Sequence, residues 1–143
     1  MKSSILSSTL FLIFLILAIF HFYWLFGGKG GLKKVIPTKS KGEDPLPIPK
    51  FATLIVALVF VFFGLIYLLK IDFWNLQIPN WLTRYIYWLI PILFIVRAIG
   101  DFNYVGLFKK IKDTEFAKAD SKIFIPLCLF IGLIGILVQI LEK

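Results

Sequence analysis

Hydrophobic residues form four long runs along the chain, and polar residues gather between them. The runs are Ile5–Phe26, Phe51–Leu69, Trp81–Ile99 and Ile123–Leu141. Each is close to the roughly 20 residues that a helix needs to cross about 30 Å of hydrocarbon. We therefore predict an all-α membrane protein, a single domain of four transmembrane helices in a bundle, with spans at about residues 5–26, 51–69, 81–105 and 123–141.

Composition agrees with this pattern. Hydrophobic residues make up 59% of the 143 residues, which is more than soluble domains usually contain. The first run follows Lys2, as a secretory signal would, but its apolar part exceeds the roughly 7–15 residues of a signal and no small-residue cleavage site follows. We predict that this segment is retained as a membrane span.

Basic residues predict the orientation of the chain. The two long loops hold eleven lysines, and the opposite side holds four basic residues. The loop lysines are Lys29, Lys33, Lys34, Lys39, Lys41, Lys50, Lys109, Lys110, Lys112, Lys118 and Lys122; the others are Lys2, Lys70, Arg84 and Lys143. Because cytoplasmic loops are enriched in Lys and Arg, we predict cytoplasmic long loops, both termini outside, and a multi-pass protein of the cell membrane.

The net charge of +8 then lies mostly at the inner leaflet. Each basic residue near anionic lipid is worth about 1 kcal/mol, so anionic inner-leaflet lipids are the expected partners. A nucleic-acid partner is not needed to explain the charge.

Cysteine and histidine content argues against several kinds of site. Cys128 is the only cysteine and His21 the only histidine. One chain therefore forms no internal disulfide, no CxxC redox pair and no bis-histidine haem site, and it is short of ligands for zinc. We predict no metal and no cofactor.

Three shorter features add to the prediction. Trp74 and Trp81, with Tyr85 and Trp88, fit an aromatic belt at the outer membrane surface. In the last loop, apolar residues alternate with lysines, which predicts a short helix lying on the inner surface; its apolar residues are Leu107, Phe108 and Ile111. Asp120 and Ser121 precede the fourth span, and we predict that Asp120 caps that helix.

Charged residues at the end of the third span mark the candidate site. In RAIGDFNYVG, Asp101 follows Arg97 at i+4 and Tyr104 continues the same helix face. An unpaired charge at that depth would cost on the order of a few kcal/mol. We therefore expect Arg97 either to be paired, as it can be with Asp101 within its own helix, or to face the interior of the bundle.

His21 and Trp24 share a face at the inner end of the first span, at the same membrane level. Convergence of the two helix ends would form a polar pocket open to the cytoplasm. The alternative is that Arg97 and Asp101 lock helices together while His21 anchors in the headgroup zone. The predicted ligand-binding residues are His21, Trp24, Arg97, Asp101, Tyr104 and Asp120.

Three segments resemble a known family. They are HFYW followed by glycines (residues 21–28), RAIGDFNYVGLFK (residues 97–109), and Asp120 shortly before PLC (residues 126–128). The chain is similar in them to small bacterial four-span membrane proteins classed as domain of unknown function 3995. Gly30, Phe124 and Ile125 depart from that pattern. The resemblance implies fold and membrane location, and no activity.

Three functions remain open. The first is a non-enzymatic protein that holds a small molecule, lipid headgroup or partner subunit, with Arg97 on the anionic group and Asp101 orienting it. The second is an intramembrane isomerase or lipid-modifying enzyme with His21 as acid or base. The third is a small dimeric transporter, although no carboxylate lies in mid-span. Gly132 and Gly135 are too weak a pattern to predict an oligomer.

Overall fold

The computed structural model describes residues 2–71 and 77–142, and these residues are helical over most of their length. By length and composition, four helices can cross a membrane, so the chain is a multi-pass membrane protein. They are α1 (Lys2–Leu25), α3 (Lys50–Leu69), α4 (Asn80–Ile99) and a continuous helix Glu115–Leu141. This last helix comprises α5 (Glu115–Ala119), a π-helical turn (Asp120–Phe124) and α6 (Ile125–Leu141); a short helix α2 spans Leu32–Val35.

Aromatic side chains form the centre of the packed helices. Phe14 of α1 is fully buried. Its ring centroid lies 5.6 Å from that of Phe63 and 5.8 Å from that of Tyr67, both on α3. Phe94 of α4 lies 5.5 Å away. Aromatic contacts at this spacing add to the free energy of burial, so Phe14 joins three of the four long helices.

Helices α4 and α6 approach each other closely through two glycines. A Cβ on Gly132 would lie 2.6 Å from Cγ1 of Ile95, and a Cβ on Gly135 would lie 2.9 Å from Cβ of Pro91. Small residues allow such close packing between membrane helices. The two glycines therefore serve a contact within the chain.

Both long loops lie at the same end of the helices, because α2 of the first loop contacts α5 of the last. We call this the loop end: α1 and α4 finish there, and α3 and α5 begin there. At the opposite end, Lys70 after α3 lies beside Glu142 after α6. Trp74 of the predicted aromatic belt lies outside the described residues.

One predicted helix end and one predicted helix are wrong. Helix α4 ends at Ile99 and not at residue 105, because Gly100 has φ 88° and leaves the helical conformation. The predicted surface helix around Leu107 and Phe108 does not form. Those residues are in irregular backbone, and the next helix begins at Glu115, capped by Thr114, whose Oγ1 accepts the Ala117 N–H at 3.0 Å.

Candidate functional site

A closed loop of residues 100–106 follows α4. Its ends cross so tightly that a Cβ on Gly100 would lie 1.8 Å from the Val105 carbonyl oxygen, and one on Gly106 would lie 2.3 Å from the Ile99 oxygen. Both glycines have positive φ, 88° and 92°, a region that other residues rarely adopt. The loop geometry therefore requires glycine at both positions.

Asp101 holds this loop together from inside. Its Oδ1 accepts backbone N–H groups of Asn103, Tyr104 and Val105 at 2.8–2.9 Å. Partial desolvation raises the pKa of Asp101, but these donors together outweigh it, and the net pKa lies below the ordinary value. The carboxylate is thus a structural cap of the loop.

The predicted pair of Arg97 with Asp101 does not form. Because α4 ends at Ile99, Asp101 is no longer on the helix face that carries Arg97. Arg97 donates instead from Nη2 to Oδ1 of Asp120, at 3.0 Å.

Asp120 is the centre of the buried polar cluster at this end. The residue is fully buried. Besides Arg97 on Oδ1, its Oδ2 accepts the Gly106 N–H at 2.8 Å and the Lys109 ammonium at 3.1 Å. The predicted role of Asp120 as a helix cap is wrong, because the helix is continuous from Glu115 and Thr114 provides its cap.

Lys109 also belongs to this cluster, and the sequence did not single it out. Its side chain is only 4% exposed. Its three N–H donors go to Asp120, to the Gly106 carbonyl oxygen at 3.2 Å and to Ser121 Oγ at 2.8 Å. Sequence reasoning counted it among the loop lysines. Its position at the end of the RAIGDFNYVGLFK segment could have distinguished Lys109 from the other loop lysines.

The Asp120 cluster, which comprises Arg97, Lys109 and Asp120, carries a net charge of +1. One carboxylate faces two cations, and Nη1 of Arg97 is buried and finds no hydrogen-bond partner among the described residues. A buried donor left unpaired costs about 1–3 kcal/mol. The Arg97 side chain as a whole is 35% exposed, so the cluster has an open edge beside the buried Nη1. A small rotation of the guanidinium would present Nη1 at that edge to an anionic or hydrogen-bond-accepting group.

His21 lies on α1 and contacts residues of α1 and of the neighbouring α3. Its Nδ1 lies 2.7 Å from the Leu17 carbonyl oxygen; since a carbonyl only accepts, Nδ1 carries the hydrogen. The imidazole packs against the rings of Trp24 and Phe60, with centroids 5.1 and 5.0 Å away. Among the described residues, no hydrogen bond or ion pair joins His21 to Arg97 or Asp101. Tyr104 is half-buried and contributes its backbone N–H to the loop.

The glycines after α1 fold back over the end of that helix. Trp24 donates from Nε1 to the Gly30 carbonyl oxygen at 2.8 Å, and the Gly30 N–H donates to the Tyr23 hydroxyl at 3.3 Å. A Cβ on Gly28 would lie 2.4 Å from the Tyr23 ring. The packing of this turn therefore accounts for the aromatic residues and glycines of the HFYW-glycine segment, and no ligand is needed to explain them.

The segments that carried the family resemblance all lie at the loop end. The family described as "Protein of unknown function (DUF3995)" matches residues 14–135, most of the chain. The chain belongs to the DUF3995 family. The matched range includes the whole Asp120 cluster, and DUF3995 membership confirms the resemblance stated from the sequence. No curated protein and no solved structure matches the chain.

Proposed function

We propose that this DUF3995 protein is a non-enzymatic, four-helix-bundle protein of the bacterial cell membrane that binds an anionic lipid headgroup at the Asp120 cluster, on the cytoplasmic side. The observation that carries the proposal is Nη1 of Arg97, which has no hydrogen-bond partner within residues 2–71 and 77–142 and belongs to a cluster of net charge +1. A phosphate oxygen on Nη1 would supply the missing acceptor and balance the charge.

The geometry of Arg97 favours this use. Asp120 engages Nη2 and fixes the plane of the guanidinium, which leaves Nη1 as the uncommitted donor. Lys109 supplies the second charge that Asp120 needs. Arg97 is therefore held close to the open edge before a ligand arrives, so that only a small rotation is needed, and this partial preorganisation lowers the entropic cost of binding.

A lipid fits the surroundings of Arg97 better than a soluble metabolite. Its neighbour Val96 and, beside Asp120, Ile123 are exposed apolar residues. A headgroup at Arg97 would therefore place its acyl chains against an apolar helix surface. The lysines of the two long loops, which share this end, add long-range attraction for anionic lipid, and their excess supports a cytoplasmic location.

No observation among the described residues favours the enzyme or transporter hypotheses. His21 donates to its own helix, and Asp101 is committed to three backbone N–H groups. The buried carboxylate of Asp120 faces two cations near a helix start, which is unlike an exchangeable proton site in mid-membrane.

The test is lipid retention in nanodiscs that mix zwitterionic phospholipid with phosphatidylglycerol, measured by native mass spectrometry. Arg97→Lys keeps a positive charge beside Asp120 but removes the planar fork. We expect it to lower the affinity for phosphatidylglycerol about 10-fold, or ~1.4 kcal/mol. Lys110→Gln is the matched control, since it removes an exposed charge from the same end and should leave retention within about 2-fold.

Two results would overturn the proposal. One is equal loss of phosphatidylglycerol in both variants, which would mean diffuse attraction to the basic surface. The other is undiminished retention in Arg97→Lys. Thermal unfolding of each variant shows whether Arg97→Lys is folded; if it is not, Arg97→Gln with inorganic phosphate as competitor gives the same comparison.

A further inference from the structure

A cleft of about 380 Å³ opens at the opposite end, between the ends of α3, α4 and α6. Its lining includes Lys70, Arg84, Tyr87, Gln139 and Glu142. Lys70 pairs with Glu142 and places Nζ 3.6 Å above the Tyr87 ring centroid. The negative charge of Glu142 is therefore already neutralised by a cation of the cleft wall.

Among the residues that the structure describes, two buried hydrogen-bond donors near this end have no partner. One is Nε2 of Gln139 in the cleft lining, and the other is the hydroxyl of Tyr67, which lies deeper between the helices and outside the lining. The Tyr67 oxygen lies 3.1 Å from where a Cβ of Gly135 would be, and Gly135 lies one turn before Gln139 on the same face of α6. Native proteins leave few buried donors unpaired, so an acceptor is expected beside this face.

The cleft also carries net positive charge. Lys70 and Arg84 together oppose the single carboxylate of Glu142 among the residues of its lining. Lys70 is paired and its side chain is only 8% exposed, whereas Arg84 is exposed at the mouth of the cleft. A guanidinium in this position favours a carboxylate or phosphate.

An apolar groove of about 580 Å³ continues from the cleft along α4. The two share Asn80, Arg84 and Trp88, and the groove adds the rings of Trp81 and Tyr85. Polar and apolar binding surfaces are thus joined at Arg84. This arrangement matches a molecule with one charged head and one apolar chain.

We infer that the cleft is a second binding site, which takes the anionic head of a single-chain amphiphile at Gln139 and Arg84 and the chain along Trp81 and Tyr85. The site does not depend on the Asp120 cluster, and its ligand enters from the other end of the protein.

The test uses dodecanoate brominated on its chain, which quenches tryptophan fluorescence on contact, added to the full-length protein in zwitterionic nanodiscs. We expect saturable quenching by dodecanoate, at least about 10-fold weaker binding of the brominated dodecanol, and no competition by acetate. Arg84→Gln, at an exposed position, should weaken dodecanoate binding about 10-fold. Gln139→Glu should weaken it further, because it sets a carboxylate against the ligand head.

Lys110→Gln is the control at the loop end, because it removes an exposed charge outside both proposed sites, and it should leave dodecanoate binding unchanged. Equal binding of the acid and the alcohol, or unchanged binding in Arg84→Gln, would overturn the inference and reduce the groove to an aromatic belt in contact with lipid. Competition by acetate would overturn the assignment of an amphiphile and indicate a small free carboxylate as the ligand.

Discussion

Each end of the long helices holds a carboxylate, which is buried at one end and partly exposed at the other. At the loop end, Asp120 is fully buried and receives two cations and a backbone N–H. At the opposite end, the Glu142 side chain is 37% exposed, and its one ion-pair partner among the described residues is Lys70, which is 8% exposed. Removing one partner from a buried network leaves uncompensated charge, whereas an exposed pair contributes little. The loop end is therefore packed around its carboxylate, while the cleft at the opposite end is open around Glu142.

Neutralising the two carboxylates should give the largest contrast. Asp120→Asn leaves Arg97 and Lys109 without a counter-charge in a buried site, and we expect a loss of about 3–5 kcal/mol in the free energy of unfolding. Glu142→Gln should cost less, about 1–2 kcal/mol, because water reaches the partly exposed position 142 and the largely buried Lys70 keeps the Tyr87 ring as a partner. Denaturant titration in detergent micelles measures both. Equal losses in the two variants would remove the distinction between the ends.

Two glycine substitutions test how tightly the chain is packed within the loop end. Gly106→Ala should cost about 3 kcal/mol or more, since it combines an unfavourable φ with overlap on the Ile99 oxygen. Gly31→Ala is the matched control, because Gly31 has φ 75° but nothing within 4 Å of its Cβ position; we expect about 1–2 kcal/mol. Thermal unfolding compares them. A milder effect at Gly106 than at Gly31 would show that the crossing of the loop is not tight.

Loss of the loop cap should have the smallest effect. Asp101→Ala removes three hydrogen bonds at an exposed position, and we expect a loss of about 1 kcal/mol. The pKa of folded Asp101 is lowered, so its stabilising contribution is complete above the ordinary value near ~4 and disappears as pH falls through the folded value. The difference between wild type and Asp101→Ala should therefore shrink on acidification. A difference that grew below pH ~4 would contradict the assignment of Asp101 as an ionised cap.

Sequence patterns predicted the helices well because hydrocarbon forces the backbone to satisfy its hydrogen bonds within each span. Four helices able to cross a membrane, a common end for the long loops and family membership are confirmed. Membrane sidedness, the bundle arrangement and the cell membrane as location stay predictions.

The partners of the charged residues could not be predicted in the same way. Spacing shows which residues are neighbours on one helix, and it suggested Asp101 for Arg97. The conformation of Gly100 ends that helix, and the true partner, Asp120, is distant in sequence. Lys109 looked like any loop lysine, because its burial depends on the tertiary fold of the loop over Asp120.

The partner of Arg97 is tested most directly by two double-mutant cycles on the free energy of unfolding, one combining Arg97→Gln with Asp120→Asn and the other with Asp101→Asn. We predict a coupling energy above about 1 kcal/mol for Arg97 with Asp120, and below about 0.5 kcal/mol for Arg97 with Asp101. Stronger coupling to Asp101 than to Asp120 would contradict the cluster on which the proposed headgroup site is built.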